Sequence, residues 1–315
     1  MKIAVLDDWQ KTAEDFADWS RVSASHQLDF YSEQFLGEDL ISRLAPYDVL
    51  CVMRERTVFS EEVIAQLPNL KAVITSGMRN AALDLTALNA RGISVSGTES
   101  PGHATAELAM IFIGMLARQI VANANSMSGT GWQVGTGRDL RNATLGILGL
   151  GRLGSQLAAL GKIFGMNIQA WSQNLTRETC AEQNVTYAER KEFFATSDFI
   201  SLHLKLSPRV KGIIGKPELA LMKKDAYIVN TSRGPLIDVL ALCDALKEGQ
   251  IAGAAIDVFD VEPLPADDVM RSTPNLILTP HIGYVTRETM AVFYKQSCES
   301  LEAYLAGKPI RLLTT

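Results

Sequence analysis

Histidine and cysteine are both scarce in this chain, with four of each among its 315 residues. Cys51, Cys180, Cys243 and Cys298 are scattered, and none belongs to a C-x-x-C pair. That argues against a disulfide framework and a zinc site, and it suits a reducing cytoplasm. Long apolar runs are missing as well. The most apolar segment, residues 108–117, lies between Glu107 and Arg118. It is too short to span a bilayer and reads as a buried helix. Nor is one sign of charge in excess. The formal net charge is -5, with no long basic run, so neither nucleic acid nor an anionic membrane is expected as a partner. Met1 to Leu6 leads at once into Asp7 and Asp8, too short and too soon acidic for a signal peptide. What is present is 47% hydrophobic and 21% charged, the balance of a globular protein large enough for two domains.

Strands are predicted at residues 2–6, 27–31, 48–53, 71–75 and 93–95. Helices are predicted at 12–19, capped by Thr12, and at 37–44, 60–67 and 85–91. Their alternation predicts a small α/β domain on a parallel sheet. Glu99-Ser100-Pro101-Gly102 then marks a break. One long helix is expected over 104–125, followed by a polar, glycine-rich connection over 126–138 that carries Trp132. A second α/β series follows, with six strands near 144–148, 167–171, 199–203, 226–230, 253–257 and 276–279. The tail, 287–305, reads as a helix with Met290, Phe293, Tyr294, Leu301 and Leu305 near one face.

The second series opens on a strand at 144–148, then Gly149, Gly151 and Gly154, then a helix from Arg152. This is G-x-G-x-x-G in the setting that holds a dinucleotide pyrophosphate. Gly149 permits the tight turn, Gly151 has no Cβ to block the phosphates, and Gly154 lets helix and strand pack closely. The helix N-terminus adds free N–H groups and a partial positive charge.

The few histidines narrow the search for a proton carrier. His26 lies in a polar stretch and reads as a surface residue, and His103 begins the long helix. His203 ends the strand 199–203 and stands either near the cofactor or as a structural histidine. His281 follows the strand 276–279, between Pro280 and Gly283, where a histidine can move a proton at neutral pH. Asn230-Thr231-Ser232-Arg233-Gly234 places a guanidinium just past another strand, able to grip a carboxylate through two parallel hydrogen bonds. Ala254 to Pro263 supplies two acids, Asp257 and Glu262. A carboxylate beside His281 would fix its tautomer and favour the imidazolium. Histidine, carboxylate and arginine together suit hydride transfer at a 2-hydroxy acid.

With these motifs in order (LGLGRLG, NTSRG, AAIDVFDVEP, TPHIG), the chain resembles the D-isomer-specific 2-hydroxyacid dehydrogenase family over nearly its whole length. The resemblance implies two Rossmann-like, doubly wound α/β domains. A flavodoxin-like substrate domain would comprise 1–99 and 285–315, and an NAD(P)-binding domain 100–284, with the active site in a cleft between them. It also implies a homodimer. His281 would be the acid/base, Glu262 its partner, and Arg233 the carboxylate ligand. Asp257 would hold the nicotinamide carboxamide. Gly149, Gly151, Arg152, Leu153 and Gly154 would line the cofactor, with Thr231, Ser232 and Gly283. Ser76, Gly77 and Met78, after Thr75, resemble a loop whose backbone N–H groups meet the substrate carboxylate. Arg54 and Arg56 resemble a pair near the substrate. A non-catalytic, NAD(H)-sensing corepressor on the same fold is the alternative.

Four positions depart from the family pattern. Ser172 stands where NAD-dependent members carry an acid, and Lys205 where a proline is common. Both permit NADP, with Lys205 or Arg177 to meet its phosphate. The usual NADP arginine is replaced by Gln173, so NAD and NADP both stay open. Tyr284 replaces a common glycine and narrows the expected pocket.

Overall fold

The computed structural model describes residues 1–314. The chain divides into two compact units, one of Met1–Pro101 with residues 286–314, the other Gly102–Val285.

The first unit is built on five parallel strands: β1 (Lys2–Val5), β2 (Gln27–Phe30), β3 (Val49–Val52), β4 (Ala72–Thr75) and β5 (Ser94–Ser96). Their order is β2-β1-β3-β4-β5, the flavodoxin-like arrangement. β3 and β4 are buried at every residue, as strands covered on both faces must be, hence their unbroken apolar runs. The helix Arg287–Leu305 spans the predicted tail and buries Met290, Phe293, Tyr294 and Leu301. Near the N-terminus the structure differs from expectation. The helix predicted at 12–19 is two short ones, Ala13–Phe16 and Ser20–Ser23. Thr12 does not cap with its side chain; Asp8 accepts instead from the N–H groups of Thr12 (3.0 Å) and Ala13 (3.1 Å) where the helix starts.

Asp7, just past β1, is 1% exposed and accepts from Thr57 Oγ1 at 2.8 Å. Burial pushes its carboxyl from 3.8 up to about 6, against the pull of Thr57 and Arg56. A raised carboxyl pKa means that the folded state holds its proton longer than the unfolded chain does. Its contribution is complete below the unfolded value and is lost as pH rises through about 6. Relative to Asp7→Asn, the wild type should therefore lose roughly 2 kcal/mol of unfolding free energy between about pH 4.5 and 7. Urea unfolding of both proteins across that range is the check, and a pH-independent difference would refute it.

The second unit carries β6 (Thr144–Leu148), β7 (Asn167–Trp171), β8 (Thr186–Tyr187), β9 (Phe199–Leu202), β10 (Tyr227–Asn230), β11 (Gly253–Ile256) and β12 (Leu276–Leu278). All pair in parallel, in the order β12-β11-β10-β9-β6-β7-β8. This is a Rossmann order with an added strand, seven rather than the six predicted. The strand added to that order is β12, whereas the one not predicted, β8, is two residues on the opposite sheet edge, too short for any apolar period to register. Successive residues of one strand enter opposite cores. Ile228 joins one cluster with Trp171, Phe193 and Leu202, and Val229 joins the other with Phe112, Leu145 and Phe199.

The long helix predicted over 104–125 is also corrected. It is two helices, Ala104–Ala117 and Ile120–Ser128, bent by 64°. The break falls at Gln119, whose φ of 49° is left-handed. Helical periodicity runs on across the break, but the first helix is largely buried and the second buries no residue. Among the described residues no single helix is long and apolar enough to cross a membrane.

Candidate active site

The glycine turn follows β6 directly. Gly149 has φ +100°, a region side chains avoid, and a Cβ there would lie 2.9 Å from the His203 carbonyl oxygen. A Cβ on Gly154 would run into the Gly149 carbonyl, so the helix Arg152–Ile163 can sit this close to the strand only with glycine there. Gly151 is different. A Cβ on it would meet nothing within 4 Å, so the protein's own packing does not require glycine. Open space at a helix N-terminus is the cradle a pyrophosphate needs, and the residues present fit a dinucleotide. Arg152 is exposed and lies against Gly102, and Leu153 is half-buried.

The strands on either side of β6 send their loops to the same edge. Ser172 is half-buried after β7, and Gln173 and Asn174 are exposed. After β9, His203 is half-buried: Nε2 bonds Ser201 Oγ at 2.9 Å while Nδ1, itself buried, has no hydrogen-bond partner. Burial pushes it down to about 4, so it is neutral at physiological pH. Lys205 is exposed, and the Leu204 carbonyl accepts from Ser232 Oγ at 2.6 Å. Arg177 is engaged elsewhere, 2.8 Å from Glu189 and over the Tyr187 ring. Arg209, which no sequence motif singles out, donates instead to Gln173 and Asn174 in the β7 turn.

Arg233 is positioned by a buried neighbour. Asn230, the last residue of β10, accepts from the Ser232 N–H at 3.0 Å and donates to the Arg233 carbonyl at 2.9 Å. Its side chain thus folds the Thr231-Ser232-Arg233 turn. The Arg233 guanidinium is half-buried, and its Nη1 donates to the Ser232 carbonyl at 2.7 Å.

Asp257, past β11, is fully buried. Its Oδ1 accepts from the Ile282 N–H at 2.8 Å and from Thr279 Oγ1 at 2.5 Å, and its Oδ2 from the Gly283 N–H at 2.8 Å. Burial pushes its carboxyl up, and these hydrogen bonds pull the other way. These bonds use three of a carboxylate's roughly four acceptor sites, and the buried Asp257 anchors the turn that carries His281. That backbone has φ +53° at His281. His281 Nδ1 lies 2.6 Å from Glu262 Oε2, and the other Glu262 oxygen accepts from the Phe259 N–H at 2.8 Å. Both ends of the carboxylate are thereby held. The His281 and Glu262 side chains are 21% and 24% exposed, enough for one face of the imidazole to reach a ligand. The Tyr284 ring meets the imidazole edge-on, with centroids 5.6 Å apart.

The first unit has its own cluster. Arg54 donates its N–H to Ser76 Oγ at 2.8 Å, and its guanidinium lies over Gly77, 3.4 Å from the Ser76 and Arg79 carbonyls. The Ser76 N–H already goes to the Val52 carbonyl at 3.1 Å, and the Gly77 N–H to Thr98 Oγ1 at 2.8 Å. A substrate carboxylate would have to displace those acceptors to use both. Met78 is exposed. Arg56 is buried, bonded to the Asp7 carbonyl and set over the Trp9 ring.

Comparison with known proteins shows the family. Residues 110–283, more than half of the chain, match the family model described as the NAD binding domain of D-isomer specific 2-hydroxyacid dehydrogenases. A glyoxylate reductase of Aeropyrum pernix is 36% identical over 283 residues, covering 86% of this chain and 84% of that one. A D-3-phosphoglycerate dehydrogenase of Methanocaldococcus jannaschii is 36% identical over 275 residues, covering 86% of this chain and 52% of the relative. The crystal structure of a phosphoglycerate oxidoreductase from Vibrio cholerae matches with a TM-score of 0.91 at 33% identity, covering 98% and 99% of the two chains. The chain belongs to the D-isomer specific 2-hydroxyacid dehydrogenase family. It is accordingly an oxidoreductase of CH–OH donors that works with a nicotinamide cofactor.

Proposed function

We propose that this protein interconverts a small D-2-hydroxy acid and its 2-keto acid, with His281 as acid/base and Arg233 as the carboxylate ligand. The observation that carries the reading is the 2.6 Å contact between His281 Nδ1 and a Glu262 whose second oxygen is tied to Phe259. Nδ1 is committed to the carboxylate, so Nε2 faces the substrate and carries the proton that moves. In the reducing direction Nε2–H gives its proton to the oxygen on C2, and Glu262 stabilises the imidazolium before transfer. Arg233 holds the substrate carboxylate through its fork and so orients C2. When bound, the nicotinamide supplies the hydride to C2. The residues assigned to hold the cofactor are Gly149, Gly151, Arg152, Leu153 and Gly154, with Thr231, Ser232, Asp257 and Gly283. Arg54, Ser76, Gly77 and Met78 are assigned to the substrate.

Four buried free cysteines suit a cytoplasmic setting, and the proposal includes neither nucleic acid nor membrane. A homodimer is proposed on the exposed apolar side chains of Ile120, Met127 and Trp132, which a two-fold partner would cover.

The test is oxidation of NADH or NADPH, supplied in parallel with glyoxylate, hydroxypyruvate, pyruvate, phenylpyruvate and 2-oxoglutarate. Turnover with at least one keto acid is expected. Tight cofactor binding without turnover on any of them would overturn the catalytic reading in favour of a nucleotide sensor.

A further inference from the structure

The cofactor's adenosine end is read, in a sheet of this kind, by the turn after the second strand. A carboxylate there accepts from the ribose hydroxyls and repels a 2′-phosphate. Here that turn follows β7 and runs Ser172-Gln173-Asn174, without an acid. β6 lies between β7 and β9, so the loop after β9 borders the same edge of the glycine turn. That loop, residues 203–213, carries Lys205, Arg209 and Lys211 and again no acid.

The two loops are joined by one side chain. Arg209 Nη2 donates to Gln173 Oε1 at 3.1 Å and to Asn174 Oδ1 at 3.4 Å, and Gln173 Nε2 donates back to the Arg209 carbonyl at 3.4 Å. Both acceptors are neutral amides. Among the described residues no carboxylate pairs with Arg209, whereas Arg177, close by in sequence, is paired with Glu189. A guanidinium has five N–H donors in a planar fork. Nη2 is spent on the turn, which leaves Nε and Nη1 of this exposed side chain with no carboxylate paired to their charge. Fork geometry and uncompensated charge together fit a phosphate rather than a hydroxyl.

We propose that Arg209, held on the amides of Gln173 and Asn174, is the anchor for a 2′-phosphate, so that this chain selects NADP(H) over NAD(H). This deepens the cofactor assignment of the glycine turn and rests on it.

The test is calorimetric titration of the full chain with ADP-ribose and with 2′-phospho-ADP-ribose, which bind without chemistry. The wild type should bind the phosphorylated fragment about 10- to 100-fold more tightly at low salt, the range expected for one or two charge-assisted hydrogen bonds. The preference should shrink as salt is added. In Arg209→Ala the ratio of the two dissociation constants should fall to about one, and ADP-ribose binding reports that the variant is folded. Equal affinities in the wild type, or an unchanged ratio in Arg209→Ala, would overturn the assignment of Arg209 alone. Failure of both fragments to bind the wild type would overturn the glycine-turn assignment, and this proposal with it.

Discussion

Replacing His281 with asparagine lowers kcat by 10²–10⁴, roughly the usual worth of a positioned general acid/base. Asparagine is the informative replacement because the His281 backbone sits at φ +53°. Asn is among the few residues that accept the left-handed region, whereas alanine would add strain to the loss of the imidazole. The turn should survive, since Asp257 grips the N–H groups of Ile282 and Gly283 rather than the histidine side chain. Cofactor affinity should therefore change little while the rate falls. Single-turnover kinetics on the best keto acid separate the two effects. Wild-type turnover in His281→Asn would remove His281 from the reaction.

Arg233→Lys should lower kcat/KM for the keto acid by roughly 10- to 150-fold. The loss corresponds to one hydrogen bond to a charged group, about 1.5–3 kcal/mol. Lysine keeps the charge but presents a point, not a fork, and cannot make two parallel bonds to a carboxylate. Asn230 holds the backbone of this turn through the Ser232 N–H and the Arg233 carbonyl, so the substitution leaves the turn's scaffold in place. Steady-state kinetics against the keto acid, with cofactor binding as a control, is the measurement. An unchanged kcat/KM would take Arg233 out of the substrate site.

Much of this was legible because each motif is local. The G-x-G-x-x-G spacing is read within six residues, and the structure gives each glycine a separate reason. Gly149 has its left-handed turn, Gly154 its close approach, and Gly151 its open space. The terminal helix Arg287–Leu305 was read in full because its apolar face repeats along one unbroken element. The break at Gln119 was not legible. Both segments are helix-forming, and only burial of the first, with the second left bare, separates them. β8 was missed for the opposite reason, as two edge residues cannot display a period.

The chain alone determined the alternation of strand and helix, the glycine turn, and which side chains could carry a proton or grip a carboxylate. These follow from residue type and short spacing, which a linear string preserves. Tertiary structure decided which of them act on one another. His281 and Glu262 meet because the loops after β11 and β12, two neighbouring strands, end side by side. Asp257 proves to be a clasp on backbone N–H groups, partners that no side-chain pattern records. Arg209 reaches Gln173, 36 positions away, because β7 and β9 both flank β6 in parallel and end on the same edge of the sheet. Arg177, nearer in sequence to the same turn, is drawn off by Glu189 and Tyr187. Strand order is set by how the whole sheet buries its two faces, so it assigns neighbours that lie far apart along the chain.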